Sequence, residues 1–188
     1  MGNEIGVVRQ RVFRKVIAFP SLLDSIMTTF SNNPIDGLML YLYVPAVVLH
    51  VTCAAAWFGL SLRLPGLSSL IDGSDANIGE ALAASGATTV RMMDYFVLLM
   101  YAFAFLTILV GPGFDGIGWP IHVALSMGLV LILVQAFLIR RNWAALQGAV
   151  GGGDTEAARK KVAMSVGIGH LFWFTLLVLM FISSVVAV

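Results

Sequence analysis

Residues 119–139 read WPIHVALSMGLVLILVQAFLI, without an Asp, Glu, Lys or Arg, and Arg140-Arg141 follow at once. A helix rises about 1.5 Å per residue, so this run extends about 30 Å, the thickness of the hydrocarbon core of a bilayer. Three further stretches satisfy the same test. Residues 36–64 are opened by Asn33-Pro34 and closed by Pro65-Gly66; residues 88–110 stop at Gly111-Pro112-Gly113; residues 162–187 follow a segment where Asp154 can cap a helix and Glu156 lies in its first turn. The connections are a polar loop rich in Gly, Ser and Asp (66–86), a tight turn (111–118) and a third loop containing Gly151-Gly152-Gly153. Connections of this length favour neighbours of alternating direction. The expected fold is all-α: an integral membrane four-helix up-down bundle over residues 34–188.

Composition agrees. Of 188 residues, 59% are apolar and 11% charged, where a soluble domain carries about 25% charged residues. So little polar surface requires lipid to cover part of the exterior. A net charge of +1 offers no basic face to displace counterions from phosphates, which argues against nucleic acid. Cys53 is the single cysteine, which excludes an intrachain disulfide and a Cys-rich zinc or iron–sulfur site. Residues 1–33 form a separate arm. Leu22, Leu23, Ile26, Met27 and Phe30 share one helical face, with Asp24, Ser25 and Thr28 off it. This pattern fits an N-terminal interfacial amphipathic helix with Arg9, Arg11, Arg14 and Lys15 near headgroups, or equally an arm that docks on a partner subunit. The basic residues are followed only by residues 16–19 and then Pro20, too short an apolar run for a signal peptide.

The basic residues Arg63, Arg91, Arg140, Arg141, Arg159, Lys160 and Lys161 fall on the side of the first and third loops. The positive-inside rule therefore places those loops in the cytoplasm and both termini outside, in what is expected to be a bacterial inner membrane.

Ionisable groups inside a membrane are costly and tend to be functional. His50, His122 and His170, all the histidines of the chain, fall within expected spans. His50 lies near mid-span, about 20 Å from Arg63, and His170 lies about 13 Å from Lys161. If Arg63 and Lys161 mark one boundary, the two imidazoles differ in depth by about one turn and could ligate one b-type haem between helices. Small residues on both faces (Ala46, Cys53, Ala54, Ser61; Ala163, Gly167) would admit the ring, and Arg63 or Arg91 could meet its propionates. The plainer alternative is that each histidine hydrogen-bonds a neighbouring helix. His122, three residues past Trp119, is shallow and reads as an interfacial residue. Arg91 and Asp94, spaced i, i+3, are expected to pair on one face. His50 and Cys53 could form half of a copper(I) site, although Cys53 also reads as a small buried hydrophobe.

Leu49-His50, Trp57-Phe58-Gly59-Leu60 and Leu64-Pro65 resemble the first helix of two related membrane families, the oxygen-independent (HemJ-type) protoporphyrinogen oxidases and the copper-resistance D (CopD-type) proteins. Gly118-Trp119 with His122 is similar to the start of the oxidases' third helix. The likeness covers about 50 residues. The chain departs from the oxidase pattern at Gly66, where that family has an Arg after the Pro, and at Val123, Ala124 and Leu125, where it has a Lys. The resemblance therefore implies a four-helix haem-protein scaffold with the haem-associated histidine at His50, more than it implies the oxidase reaction. Together these readings lead to a membrane b-type haem-binding electron-transfer subunit, with haem b on His50 and His170, partnered by the lipid bilayer and other membrane subunits. The alternatives are a cofactor-free accessory subunit of a respiratory or photosynthetic complex, and a porphyrinogen oxidase or copper permease.

Overall fold

The computed structural model describes residues 34–111 and 113–186. The amphipathic arm expected over 1–33 lies outside the described residues. The chain divides into two units, Met1–Val44 and Pro45–Val188. This division falls within the first helix, and the packed core, from Cys53 onward, lies in the second unit.

Every regular element among the described residues is helical. In chain order they are α1 (Pro34–Ser61), α2 (Arg63–Asp72), α3 (Ala76–Val110), α4 (Trp119–Leu133), a π-helical segment (Val134–Ile139), α5 (Arg140–Ala149) and α6 (Thr155–Val186). Four helical stretches are long and apolar enough to cross a membrane: Tyr41–Asp72, Ala76–Val110, Trp119–Ala149 and Thr155–Ser183. Their outward faces carry Val51, Leu98, Leu109, Leu129, Phe137, Leu171, Phe174 and Phe181, large apolar side chains that suit lipid and would be costly in water.

Four helix ends differ from expectation. Pro65-Gly66 does not end the first helix; after a break at Leu62 the chain continues as α2 to Asp72. Pro65 is tolerated because it lies in the first turn of α2, where a missing N–H costs little. The expected loop 66–86 shrinks to residues 73–75 because its polar sequence is amphipathic: Leu64, Ser68 and Ile71 turn inward. Arg140-Arg141 likewise end the apolar run but not the helix, which continues through α5 to Ala149. The fourth helix begins at Thr155, before the expected 162, with the Asp154 carboxylate accepting the Ala157 N–H at 2.9 Å as anticipated for a cap.

The inward faces follow a three-and-four rhythm. In α3 the buried positions include Gly79, Ala83, Gly86, Val90, Met93, Val97 and Met100, with Thr89 and Ile108 besides; the first seven have the spacing of helices that pack at shallow angles over many turns. The third stretch keeps this rhythm to Leu131 and Gln135, then buries Ile139, Trp143 and Leu146, one residue later than a strict heptad would. The π-helical segment supplies that extra residue, because its wider turn absorbs an insertion without breaking the helix. It also turns Trp143 inward, where its Nε1–H donates to the Ala83 carbonyl at 3.1 Å. Gly86 admits the indole: a Cβ there would overlap Trp143 Cζ2. At the far ends of the helices, Thr155 Oγ1 donates to Asp72 Oδ1 at 2.7 Å and Arg159 pairs with Asp72 at 3.2 Å, so the end of α2 meets the start of α6.

Candidate functional site

His50 lies on α1 facing α3, and its Nδ1 is 2.8 Å from the Met100 carbonyl. A carbonyl can only accept, so Nδ1 carries the proton, and in the neutral ring Nε2 keeps its lone pair. Beside it is a cleft of about 230 Å³ lined by Val47, His50, Met100, Tyr101, Thr107, Ala124 and other mostly apolar residues of α1, α3, α4 and α6. The Thr107 hydroxyl is spent on its own helix, donating to the Phe103 carbonyl at 2.7 Å. Gly128 keeps the wall low, since a Cβ there would meet the Tyr101 ring at 3.0 Å. Among the described residues, no lysine or arginine lines the cleft.

His170 lies elsewhere. Its Nε2 is 2.7 Å from the Ser61 hydroxyl, which also donates to the Phe58 carbonyl at 2.7 Å. With the hydroxyl proton committed to Phe58, His170 donates from Nε2. Trp57 meets the ring edge-on and Phe58 lies 5.0 Å from it, itself stacked on Trp173 at 4.4 Å. Ser61 is separated from His50 by about 16 Å of helix rise, so the structure does not bring His50 and His170 to one point. The shared-ligand expectation fails because it assumes a common boundary. His170 is level with Ser61, two residues from Arg63, yet nine residues from Lys161. Arg63 and Lys161 are therefore not at one depth.

A polar relay crosses the core between these sites. Trp57 Nε1–H donates to Gln135 Oε1 at 3.1 Å, and Gln135 Nε2 donates to Asp94 Oδ1 at 2.8 Å and toward the Val90 carbonyl at 3.4 Å. Asp94 pairs at 3.8 Å with Arg140 rather than with Arg91. The expected i, i+3 pair is absent among the described residues because Gln135 and Arg140, both brought in by the π-helical turn and its continuation, reach Asp94 from across the helix interface. Gln135 is not among the candidates expected from the sequence, although a lone amide in an apolar span is itself a signal of a cross-helix bond. Arg91, Asp94, Arg140, Trp143 and Gln147 line a second, polar cleft of about 190 Å³.

The remaining candidates are peripheral. His122 is exposed on α4, and its carbonyl accepts the Ser126 hydroxyl at 3.1 Å. Arg63 is exposed, and neither it nor Arg91 lines the His50 cleft. Cys53 is buried in the apolar core. No group of three or more metal-ligating side chains occurs among the described residues. No known protein family, characterised protein or solved structure matches the chain.

Proposed function

We propose that the chain is a membrane-embedded electron-transfer subunit of b-type haem character, an up-down four-helix bundle that works inside a larger membrane complex. The observation that supports this reading is the Nδ1–Met100 carbonyl bond of His50. Metal-ligating histidines almost always spend their other ring nitrogen in this way, which fixes the tautomer and the ring's orientation. The resemblance of Leu49-His50 and Trp57 to haem-associated first helices points to the same imidazole. Haem b would supply one-electron chemistry there. His50 is the residue that would hold the haem iron, through Nε2. Met100 and Met180 also line the cleft, and a thioether is a common partner of histidine on electron-transfer haems. His170 does not share that position in this arrangement. The cleft, at about 230 Å³, is smaller than the roughly 300–1,000 Å³ of sites that enclose a drug-sized ligand, so a porphyrin would extend beyond it. Its exposed edge is where a partner subunit would close the site. The cytoplasmic placement of the first and third connections in a bacterial inner membrane belongs to the same proposal.

A second reading has its own observation. His170–Ser61 and Trp57–Gln135–Asp94 are complete without any added group, as a cofactor-free accessory subunit would require. A visible spectrum of the purified, dithionite-reduced protein separates the two. Haem bands that vanish in His50→Ala and persist in His170→Ala support the first. A featureless spectrum after expression with ample haem supports the second.

A further inference from the structure

We propose that the cleft between α3 and α5 binds the phosphate of an anionic phospholipid through Arg91 and Arg140. Three observations converge on it. First, the cleft is lined by the charged or polar side chains of Arg91, Asp94, Arg140 and Gln147, together with Trp143. Second, the charges do not cancel. Asp94 is held by Gln135 Nε2 and by Arg140, and Arg91 has no carboxylate partner among the described residues. Two guanidinium groups and one carboxylate leave a net positive cleft, and a guanidinium presents paired donors that match phosphate oxygens.

Third, the cleft lies at headgroup depth. Trp57 and Gln135 touch; Arg63 is six residues beyond the first and Arg140 five beyond the second, toward the end where Asp72 meets Thr155. Arg91 is within one turn of the Gln135 level, since Gln135 reaches both Val90 and Asp94. Arg63, Arg91, Arg140 and Arg141 thus form a belt about two turns deep on the exposed surface. From Arg140 back to the exposed Trp119 is about 32 Å of helix, and from Arg91 to Val110 about 29 Å, both close to the hydrocarbon thickness of about 30 Å. The belt marks the membrane boundary, where basic clefts between helices meet lipid phosphates. Snorkelling alone would treat all four arginines alike; the cleft singles out two.

The test uses the full chain purified in a non-ionic detergent, with bound lipid counted by native mass spectrometry. Phosphatidylglycerol should be retained in preference to phosphatidylcholine. Arg91→Gln or Arg140→Gln should lower that retention about tenfold, while Arg63→Gln and Arg141→Gln, on the same belt but outside the cleft, should not. Thermal unfolding of each variant confirms that it remains folded, and Arg91→Lys should retain part of the binding as a point charge. Millimolar inorganic phosphate distinguishes the sources of the anion. If it leaves phosphatidylglycerol bound, the lipid is the ligand; if it binds and displaces the lipid at Arg91 and Arg140, the phosphate site stands but serves a soluble anion. Equal retention of both lipids, or equal losses from Arg63→Gln and Arg91→Gln, overturns the proposal.

Discussion

His170 donates from Nε2 to the hydroxyl of Ser61, 2.7 Å away, and this contact ties α6 to α1 at the level of the arginine belt. Interhelical hydrogen bonds of this kind contribute about 0.6 kcal/mol on average in membranes, with a maximum near 1.7 kcal/mol. Ser61 keeps a second partner in the Phe58 carbonyl, so losing the imidazole strands no hydroxyl. We expect His170→Ala to destabilise the detergent-solubilised protein by about 1–2 kcal/mol, mostly through lost packing on Trp57 and Phe58. A double-mutant cycle with Ser61→Ala should return a coupling near 0.6 kcal/mol. Chemical denaturation followed by circular dichroism measures both, and a coupling of zero would mean the bond contributes nothing.

Gln135 joins three elements. Replacing it with Leu leaves the wholly buried Trp57 with an unsatisfied indole N–H and takes a donor from Asp94. Stranding one buried donor costs about 1–3 kcal/mol. Trp57→Phe in the Gln135→Leu background removes the stranded N–H and should recover part of that loss. The order of unfolding midpoints, wild type above the double variant above Gln135→Leu alone, is the expected result. Asp94–Arg140 should matter little by comparison, because the Arg140 side chain is 69% exposed and exposed ion pairs contribute about 0–1 kcal/mol.

Gly86 and Gly59 give opposite expectations for the same substitution. At Gly86 a Cβ would overlap the Trp143 ring, whereas at Gly59 nothing lies within 4 Å. Trp143 is buried and held by Ala83, so it cannot swing aside cheaply, and overpacking of this kind costs about 1–3 kcal/mol or more. Gly59→Ala, in the last turn of α1, should instead be neutral or stabilise by up to about 0.5–1 kcal/mol. Comparable destabilisation by both would contradict the packing described.

The four membrane stretches are readable in the sequence because long apolar runs bounded by Arg, Gly and Pro carry a strong signal, as at Trp119 to Arg140. The helix ends are not, because a polar helix and a polar loop share a composition. Leu64, Leu67, Ser68 and Ile71 keep helical spacing through a segment whose Gly, Ser and Asp content suggests coil. For the site, sequence points to His50 and His170 as the ionisable groups inside the spans, and both engage neighbouring helices. It cannot rank their depths, because that comparison needs the stagger between α1 and α6, which rests on Asp72 meeting Thr155 and Arg159. The π-helical insertion is hidden as well. It shows only as a one-residue slip of the buried face between Leu131 and Leu146, and a run apolar on all sides gives no face to trace.

The helical extensions beyond the arginine belt carry the last prediction. If Arg63 marks the boundary, α2 projects into water, and the exposed Leu70 stands about 10 Å beyond it along the helix. Leu129, equally apolar and exposed, lies between Trp119 and Arg140 and should face lipid. In a Cys53→Ser background, a cysteine at position 70 should react with a membrane-impermeant maleimide and one at position 129 should not. Cysteines at Ser74 and Gly152 should label from the same side of the membrane as position 70, because Asp72 and Thr155 are in contact. Protection of position 70 in intact membranes, with reactivity only after detergent is added, would move the boundary out to Asp72. That result would place Arg91 and Arg140 within the hydrocarbon and would require the polar cleft to be closed by another protein rather than by lipid headgroups.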